Sequence, residues 1–153
     1  MRENLTKAKL NNGKVVYGAL INRYAPDQVE IFGSLGYDFV MLDCEHGPMH
    51  LDQVEDMVRA GEVFGITPIA RIPDHSESTI LRYLDRGLQG VIIPHVNTKE
   101  EAESVVRSAR YYPDGYRGMG SGRAHDYGIG NSRESSTSWI NSEMLVIPMI
   151  EDI

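Results

Sequence analysis

At 153 residues the chain is long enough for one domain and too short for two of ordinary size. Its 22 Asp and Glu against 15 Lys and Arg leave a net charge of −7, which excludes the basic surface that nucleic acid or an anionic membrane requires. With 41% apolar and 24% charged residues, the composition supports a buried core and lacks the bias of a disordered chain.

The first apolar run is Val15-Val16-Tyr17-Gly18-Ala19-Leu20, and a helix is expected to start at Pro26, with Val29, Phe32 and Leu35 on one edge and Gly36 as its stop. A second run, Phe39-Val40-Met41-Leu42, ends in Asp43-Cys44-Glu45-His46-Gly47-Pro48. Residues 51 to 63 carry Leu51, Val54, Met57 and Val58 at helical spacing, and Thr67-Pro68-Ile69-Ala70-Arg71 reads as a third strand. Ser76 is placed to cap a helix with Ile80, Leu81 and Leu84 inward and Gly87 at its end. Gly90-Val91-Ile92-Ile93-Pro94 follows as a fourth strand. Thr98-Lys99-Glu100-Glu101 fits a capping box, with Ala102, Val105, Val106 and Ala109 as the inward face of the helix it opens. After Tyr111-Tyr112-Pro113 the periodicity dissolves for about 30 residues, and a last run spans residues 144 to 150.

Near-continuous apolar strands alternating with amphipathic helices imply a parallel sheet covered by helices, either a doubly wound sheet or a βα barrel. Strand starts near residues 15, 38, 67 and 90 lie 23 to 29 residues apart. That is close to the roughly 31 per unit of a ~250-residue (β/α)₈ barrel, of which five strands are about five-eighths. The chain ends at Glu151-Asp152-Ile153 without a helix after the last strand. Residues 1–153 are therefore expected to be one incomplete TIM-barrel domain, a partial sequence whose open arc leaves strand edges unprotected.

In such folds the polar residues just after the carboxyl ends of strands meet on one face. The second run delivers Asp43, Glu45 and His46, the third Arg71, the fourth His95 and the fifth Glu151. Carboxylates, an imidazole and a guanidinium on one rim suit an anionic substrate and a hard divalent cation. Taken singly, Asp43 and Glu45 read equally well as caps of the next helix, His46 as a structural histidine and Arg71 as an ion-pair partner; their shared location at strand ends favours function. His95 is a lesser site candidate, and His50, His75 and His125 read as surface histidines without metal-ligand spacing. Cys44 is the only cysteine, which excludes an internal disulfide and a multi-thiolate zinc site. As a nucleophile it has no obvious neighbour to lower its pKa. The segment from Asp114 to Glu143 is rich in glycine, with Arg117 and Arg123 among them, and reads as a mobile lid bearing an anion-binding arginine or as a plain flexible loop. Gly118-Met119-Gly120-Ser121-Gly122 does not match a nucleotide loop, since no strand precedes it and no P-loop lysine follows. The opening MRENLTKAKL lacks the apolar core of a signal peptide, so the expected compartment is the cytoplasm.

Five fragments, Leu42-Asp43-Cys44-Glu45-His46-Gly47-Pro48, Ala70-Arg71-Ile72-Pro73, Leu84-Asp85-Arg86-Gly87 leading into Gly90–Pro94, Tyr111-Tyr112-Pro113-Asp114-Gly115-Tyr116-Arg117-Gly118, and Ile150-Glu151, occur in the order of a known family. The sequence resembles the HpcH/HpaI aldolases, metal-dependent class II pyruvate aldolases such as hydroxy-oxo-heptanedioate and dehydro-deoxy-glucarate aldolases. The resemblance implies a (β/α)₈ barrel, with His46 as general base, Asp85 as its orienting partner, Arg71 holding the pyruvyl oxygens beside Glu45, and Glu151 as a metal ligand. Its second metal-ligating aspartate belongs to the strand after Glu151, and Met149 stands where members often carry glutamine. It further implies a homo-oligomer and a small-molecule 2-oxo acid as substrate.

Cleaving a 4-hydroxy-2-oxo acid leaves a pyruvate enolate, whose charge needs a Schiff-base lysine or a Lewis-acid metal. The four lysines, Lys7, Lys9, Lys14 and Lys99, are not at strand carboxyl ends, which favours a divalent metal, Mg²⁺, Mn²⁺ or Co²⁺. Two alternatives stand beside the aldolase: a non-catalytic truncated barrel that needs a partner chain, and a lyase acting on an acyl-CoA thioester, as in the related citrate-lyase β-subunits.

Overall fold

The structure is a computed structural model; it describes residues 2–129 and 133–152, so Gly130 of the glycine-rich segment lies outside the described residues. The elements run α1 (Leu5–Asn11), β1 (Gly18–Ile21), α2 (Pro26–Ser34), β2 (Phe39–Asp43), α3 (Leu51–Phe64), β3 (Thr67–Arg71), α4 (Glu77–Leu84), β4 (Gly90–Ile93), α5 (Lys99–Ala109), a 3₁₀ segment (Arg123–Gly128), α6 (Arg133–Glu143) and β5 (Leu145–Pro148). All strand pairs are parallel, in the order β1-β2-β3-β4-β5. A doubly wound sheet reverses its order at a switch point, whereas a barrel adds each strand beside the last. The strictly sequential order therefore identifies an arc of βα-barrel units.

Local sequence accounts for most boundaries. Pro26 opens α2, and Gly36, at φ 82, leaves it in a left-handed turn that a side chain would strain. The Ser76 hydroxyl accepts from the Thr79 amide, and Thr98 and Glu101 form the expected reciprocal box at the start of α5. The core lies between sheet and helices: Val40, Leu42, Ala70, Val91 and Ile93 meet Val29, Val54, Met57, Val58, Ile80 and Leu84, each fully buried. Each of these Val, Leu, Ile and Met side chains contributes about 1.5–3 kcal/mol relative to exposure.

Two helices depart from the sequence expectation. α1 seals the amino end of the sheet through polar contacts: Asn4 Nδ2 donates to Gln89 O (3.0 Å) and Glu143 O (2.9 Å), and Thr6 Oγ1 to Asp38 O and Thr67 Oγ1 (both 2.8 Å). Its buried residue is Thr6, so no apolar stripe announces it. The stretch expected to be patternless holds the 3₁₀ segment and α6, the latter anchored by buried Ile140 and by buried Asn141, whose Oδ1 accepts from Tyr111 N (2.8 Å) and whose Nδ2 donates to Tyr111 O (2.9 Å). β1 starts at Gly18 rather than Val15, which is exposed. His125 is half-buried rather than on the surface, with Nε2 2.7 Å from the Tyr111 hydroxyl, and burial lowers its pKa.

Candidate active site at the carboxyl ends of the strands

Asp43 and Arg71 are register partners at the ends of β2 and β3, so their side chains leave the sheet on the same side. Arg71 Nε donates to Asp43 Oδ1 (3.0 Å) and Nη2 to Oδ2 (2.8 Å), a two-pronged pair that fixes the guanidinium plane. The arginine holds the buried Asp43 carboxyl below the ordinary range, and Asp43 in turn raises Arg71. Nη1 makes no hydrogen bond among the described residues and is available to a ligand.

Beyond β2 the chain turns sharply. The His46 amide donates to Asp43 Oδ1 (3.3 Å), and a Cβ on Gly47 would sit 2.1 Å from Asp43 O and 2.7 Å from Asn22 O. Only glycine fits there, and the turn throws Glu45 inward and His46 outward, with side chains 9% and 72% exposed. Glu45 Oε2 lies 3.1 Å from Arg71 Nε and 4.0 Å from His46 Nε2, is buried, and accepts no hydrogen bond.

The β4–β5 ladder continues past both strands, with Met149 N bonded to Ile93 O (2.8 Å) and Val96 N to Met149 O (3.1 Å). It carries Glu151 to His95, whose backbone N–H donates to Glu151 Oε1 (2.9 Å). His95 is left-handed at φ 56, uncommon for a residue with a side chain. Its Nδ1 lies 2.9 Å from Asp152 Oδ2, a bond that raises its pKa, and its Nε2 lies 3.6 Å from Glu45 Oε1. One ligand atom each from Glu45, His95 and Glu151 fall within 4.8 Å of one another. Two carboxylates, one of them nine-tenths buried, together with an imidazole at this spacing fit a divalent cation.

Of the residues singled out by sequence, Glu45, His46, Arg71, His95 and Glu151 therefore gather on one rim. Asp85 does not join them. It caps the carboxyl end of α4, which descends from β3 to the amino end of β4, so the length of the strands separates it from His46. Its Oδ1 instead accepts from Arg117 Nη2 (2.7 Å), whose buried guanidinium stacks 4.6 Å from the Tyr111 ring centre. Among the described residues no hydrogen bond or ion pair links Asp85 to His46. Cys44 is buried, and burial pushes its thiol up to about 12, which removes the nucleophile reading. No lysine joins the site; Lys99, nearest the rim in sequence, pairs with Glu103 at 3.5 Å. Asp152 escaped the sequence reading, although its position next to Glu151 at a strand end was the available signal.

Residues 17–152 match the family model for HpcH/HpaI aldolase/citrate lyase. A 4-hydroxy-2-oxovalerate aldolase from Novosphingobium aromaticivorans is 36% identical over 152 residues, which is 97% of this chain and 56% of that protein. The crystal structure of an HpcH/HpaI aldolase from Desulfitobacterium hafniense DCB-2 superposes with a TM-score of 0.89 at 30% identity, covering 99% of this chain and 58% of the other. That of the citrate synthase SbnG gives 0.81 at 34% identity, with 95% and 55% coverage. The chain thus spans a little over half the length of these relatives, and it belongs to the HpcH/HpaI aldolase/citrate lyase family.

Proposed function

We propose that the protein carrying this chain is a divalent-metal-dependent aldolase that cleaves 4-hydroxy-2-oxo acids to pyruvate and an aldehyde. The observation that supports this most is the convergence of Arg71, Glu45, His95 and Glu151 beside the exposed His46 at the ends of successive strands. Arg71, its plane set by Asp43, offers the unengaged Nη1 to the carboxylate and keto oxygens of the pyruvyl group. When bound by Glu151 with Glu45, a divalent cation (Mg²⁺, Mn²⁺ or Co²⁺) supplies Lewis-acid polarisation of the 2-oxo group. His46 accepts the proton of the 4-hydroxyl, directly or through water; the C3–C4 bonding pair moves toward the pyruvyl carbonyl as the aldehyde departs, and C3 then regains a proton. General-base help of this kind is worth on the order of 10²–10⁴ in rate.

The homo-oligomer and the partnership of Asp85 with His46 form one proposal. Within one chain the two lie at opposite ends of the sheet, so the carboxylate meets the imidazole only across a subunit contact. The working compartment in this reading is the cytoplasm.

The test is pyruvate release from 4-hydroxy-2-oxo acids by the full-length protein, coupled to lactate dehydrogenase. Turnover should require added metal, stop with chelator, and fall about 10²-fold or more in His46→Ala. Turnover unaffected by chelator and by His46→Ala overturns the reading. The similarity to a citrate synthase supports a second reading, a carbon–carbon lyase of an acyl-CoA thioester; binding of CoA by the same protein would favour it.

A further inference from the structure

The geometry points to Arg117 as the positioning residue of Asp85: it holds one carboxylate oxygen and leaves the other, Oδ2, as the atom offered to the His46 imidazole of a second copy. This rests on the reading above that Asp85 meets His46 across a subunit contact, and it adds the residue that prepares the carboxylate for that meeting.

The guanidinium is fixed before it reaches Asp85. Tyr111 is tied down at both ends: its backbone N–H donates to Asn141 Oδ1 (2.8 Å), its carbonyl accepts from Asn141 Nδ2 (2.9 Å), and its hydroxyl lies 2.7 Å from His125 Nε2. The Arg117 guanidinium stacks on the ring so anchored. Between the two residues the chain folds back onto the end of α5, with the Arg117 N–H donating to Arg110 O (2.8 Å) and the Tyr116 N–H to Arg107 O (3.0 Å). A Cβ on Gly115 would stand 2.1 Å from Arg107 O and 2.5 Å from Arg110 O, so this return needs glycine. The fragment from Tyr111 to Gly118 therefore builds its arginine into the fold and does not present it to solvent as a lid residue.

Arg117 is fully buried, its Nε and Nη1 make no hydrogen bond, and Asp85 is its one ion-pair partner among the described residues. A buried cation with a single counter-charge holds that carboxylate firmly, because parting them strands the charge away from water. Nη2 takes Oδ1 at 2.7 Å. Oδ2 makes no hydrogen bond among the described residues, and the chain passing it is the side-chain-free Gly120, whose Cβ, were there one, would lie 3.7 Å away. With the Asp85 side chain 25% exposed, the pair presents one free anionic oxygen of set direction at the surface. An imidazole N–H is a donor such an oxygen accepts from, and a carboxylate in that place fixes the tautomer and the orientation of the ring.

The experiment is subunit mixing with the full-length protein, where Arg117 should share the complementation group of Asp85 and not that of His46. Arg117→Met keeps an apolar side chain over Tyr111 and removes the charge. Its kcat should fall about tenfold or more while KM for a 4-hydroxy-2-oxo acid changes by less than about twofold, because Arg71 and Glu45 are untouched. After exchange with His46→Ala, turnover should rise to about a quarter of wild type, the statistical share of contacts that bring an intact His46 to an intact Asp85 and Arg117. Exchange with Asp85→Asn, a variant that leaves Arg117 an oxygen to hold, should restore nothing, since both lesions lie on the same side of the contact. If Arg117→Met does not melt cooperatively, Arg117→Gln is put through the same mixing. Wild-type kcat in the Arg117 variant, no recovery with His46→Ala after demonstrated exchange, or recovery with Asp85→Asn overturns the inference; recovery between Asp85→Asn and His46→Ala alone would then leave Asp85 acting across subunits without Arg117. No recovery in that last pair overturns both.

Discussion

Replacing Arg71 by alanine removes the two hydrogen bonds it donates to the Asp43 carboxylate and the cation nearest Glu45 Oε2, leaving two nearly buried anions side by side. Stripping one partner from a buried ion pair costs about 3–5 kcal/mol. The low end applies here, about 3 kcal/mol, because the Arg71 side chain keeps 17% of its exposure and solvent already screens the pair in part. At about 2–4 °C per kcal/mol for a domain of this size, Tm should fall by about 6–12 °C at pH 7. The pH dependence has a defined sign. Arg71 depresses the pKa of Asp43, so the stability it confers is present above the ordinary carboxylate range and lost as pH falls through the folded-state value. The gap between wild type and Arg71→Ala, followed by thermal melts from pH 7 to pH 3, should therefore narrow toward the acid end. An Arg71→Ala protein that melts within 2 °C of wild type at pH 7, or a gap that widens in acid, would refute the reasoning.

Three further outcomes are expected. Gly47→Ala should destabilise by about 1–3 kcal/mol in urea melts and lower turnover, because its Cβ would collide with the Asp43 and Asn22 carbonyls and reset the turn bearing Glu45 and His46; an unchanged midpoint and activity would contradict this. Cys44 should resist iodoacetamide at pH 8 in the native protein and react on unfolding, since its thiol is buried and titrates at about 12; rapid native labelling would show otherwise. Mixing inactive His46→Ala and Asp85→Ala subunits and letting them exchange should restore part of the activity, because a hybrid contact reunites the intact residues; no recovery after demonstrated exchange argues against Asp85 acting across subunits.

The sheet was legible where burial leaves a periodic trace. β2, β3 and β4 are short apolar runs closed by turn residues, and Thr98-x-x-Glu101 announces the start of α5 by its own chemistry. α1 and α6 were not legible because tertiary polar contacts hold the first, and the Asn141 hydrogen bonds with a few apolar side chains the second, so neither carries a stripe. The rim was legible as a set of strand-end residues, since parallel strands place their carboxyl ends together. Its internal pairing was not: the bond of Asp43 to Arg71 depends on register, and the approach of Asp152 to His95 depends on how far the β4–β5 ladder runs. The family resemblance pairs Asp85 with His46, whereas within this chain the fold sets Asp85 at the carboxyl end of α4 against Arg117, a placement that the motif alone does not specify.

The most direct measurement is anomalous scattering from crystals of the full-length protein grown with Mn²⁺ and pyruvate. A peak in contact with Glu151 on the rim shared by Glu45 and His95, with the pyruvate carboxylate reaching Arg71, is the predicted result. A peak at the amino end of the sheet near Asp85, or pyruvate bound away from Arg71, would contradict the account.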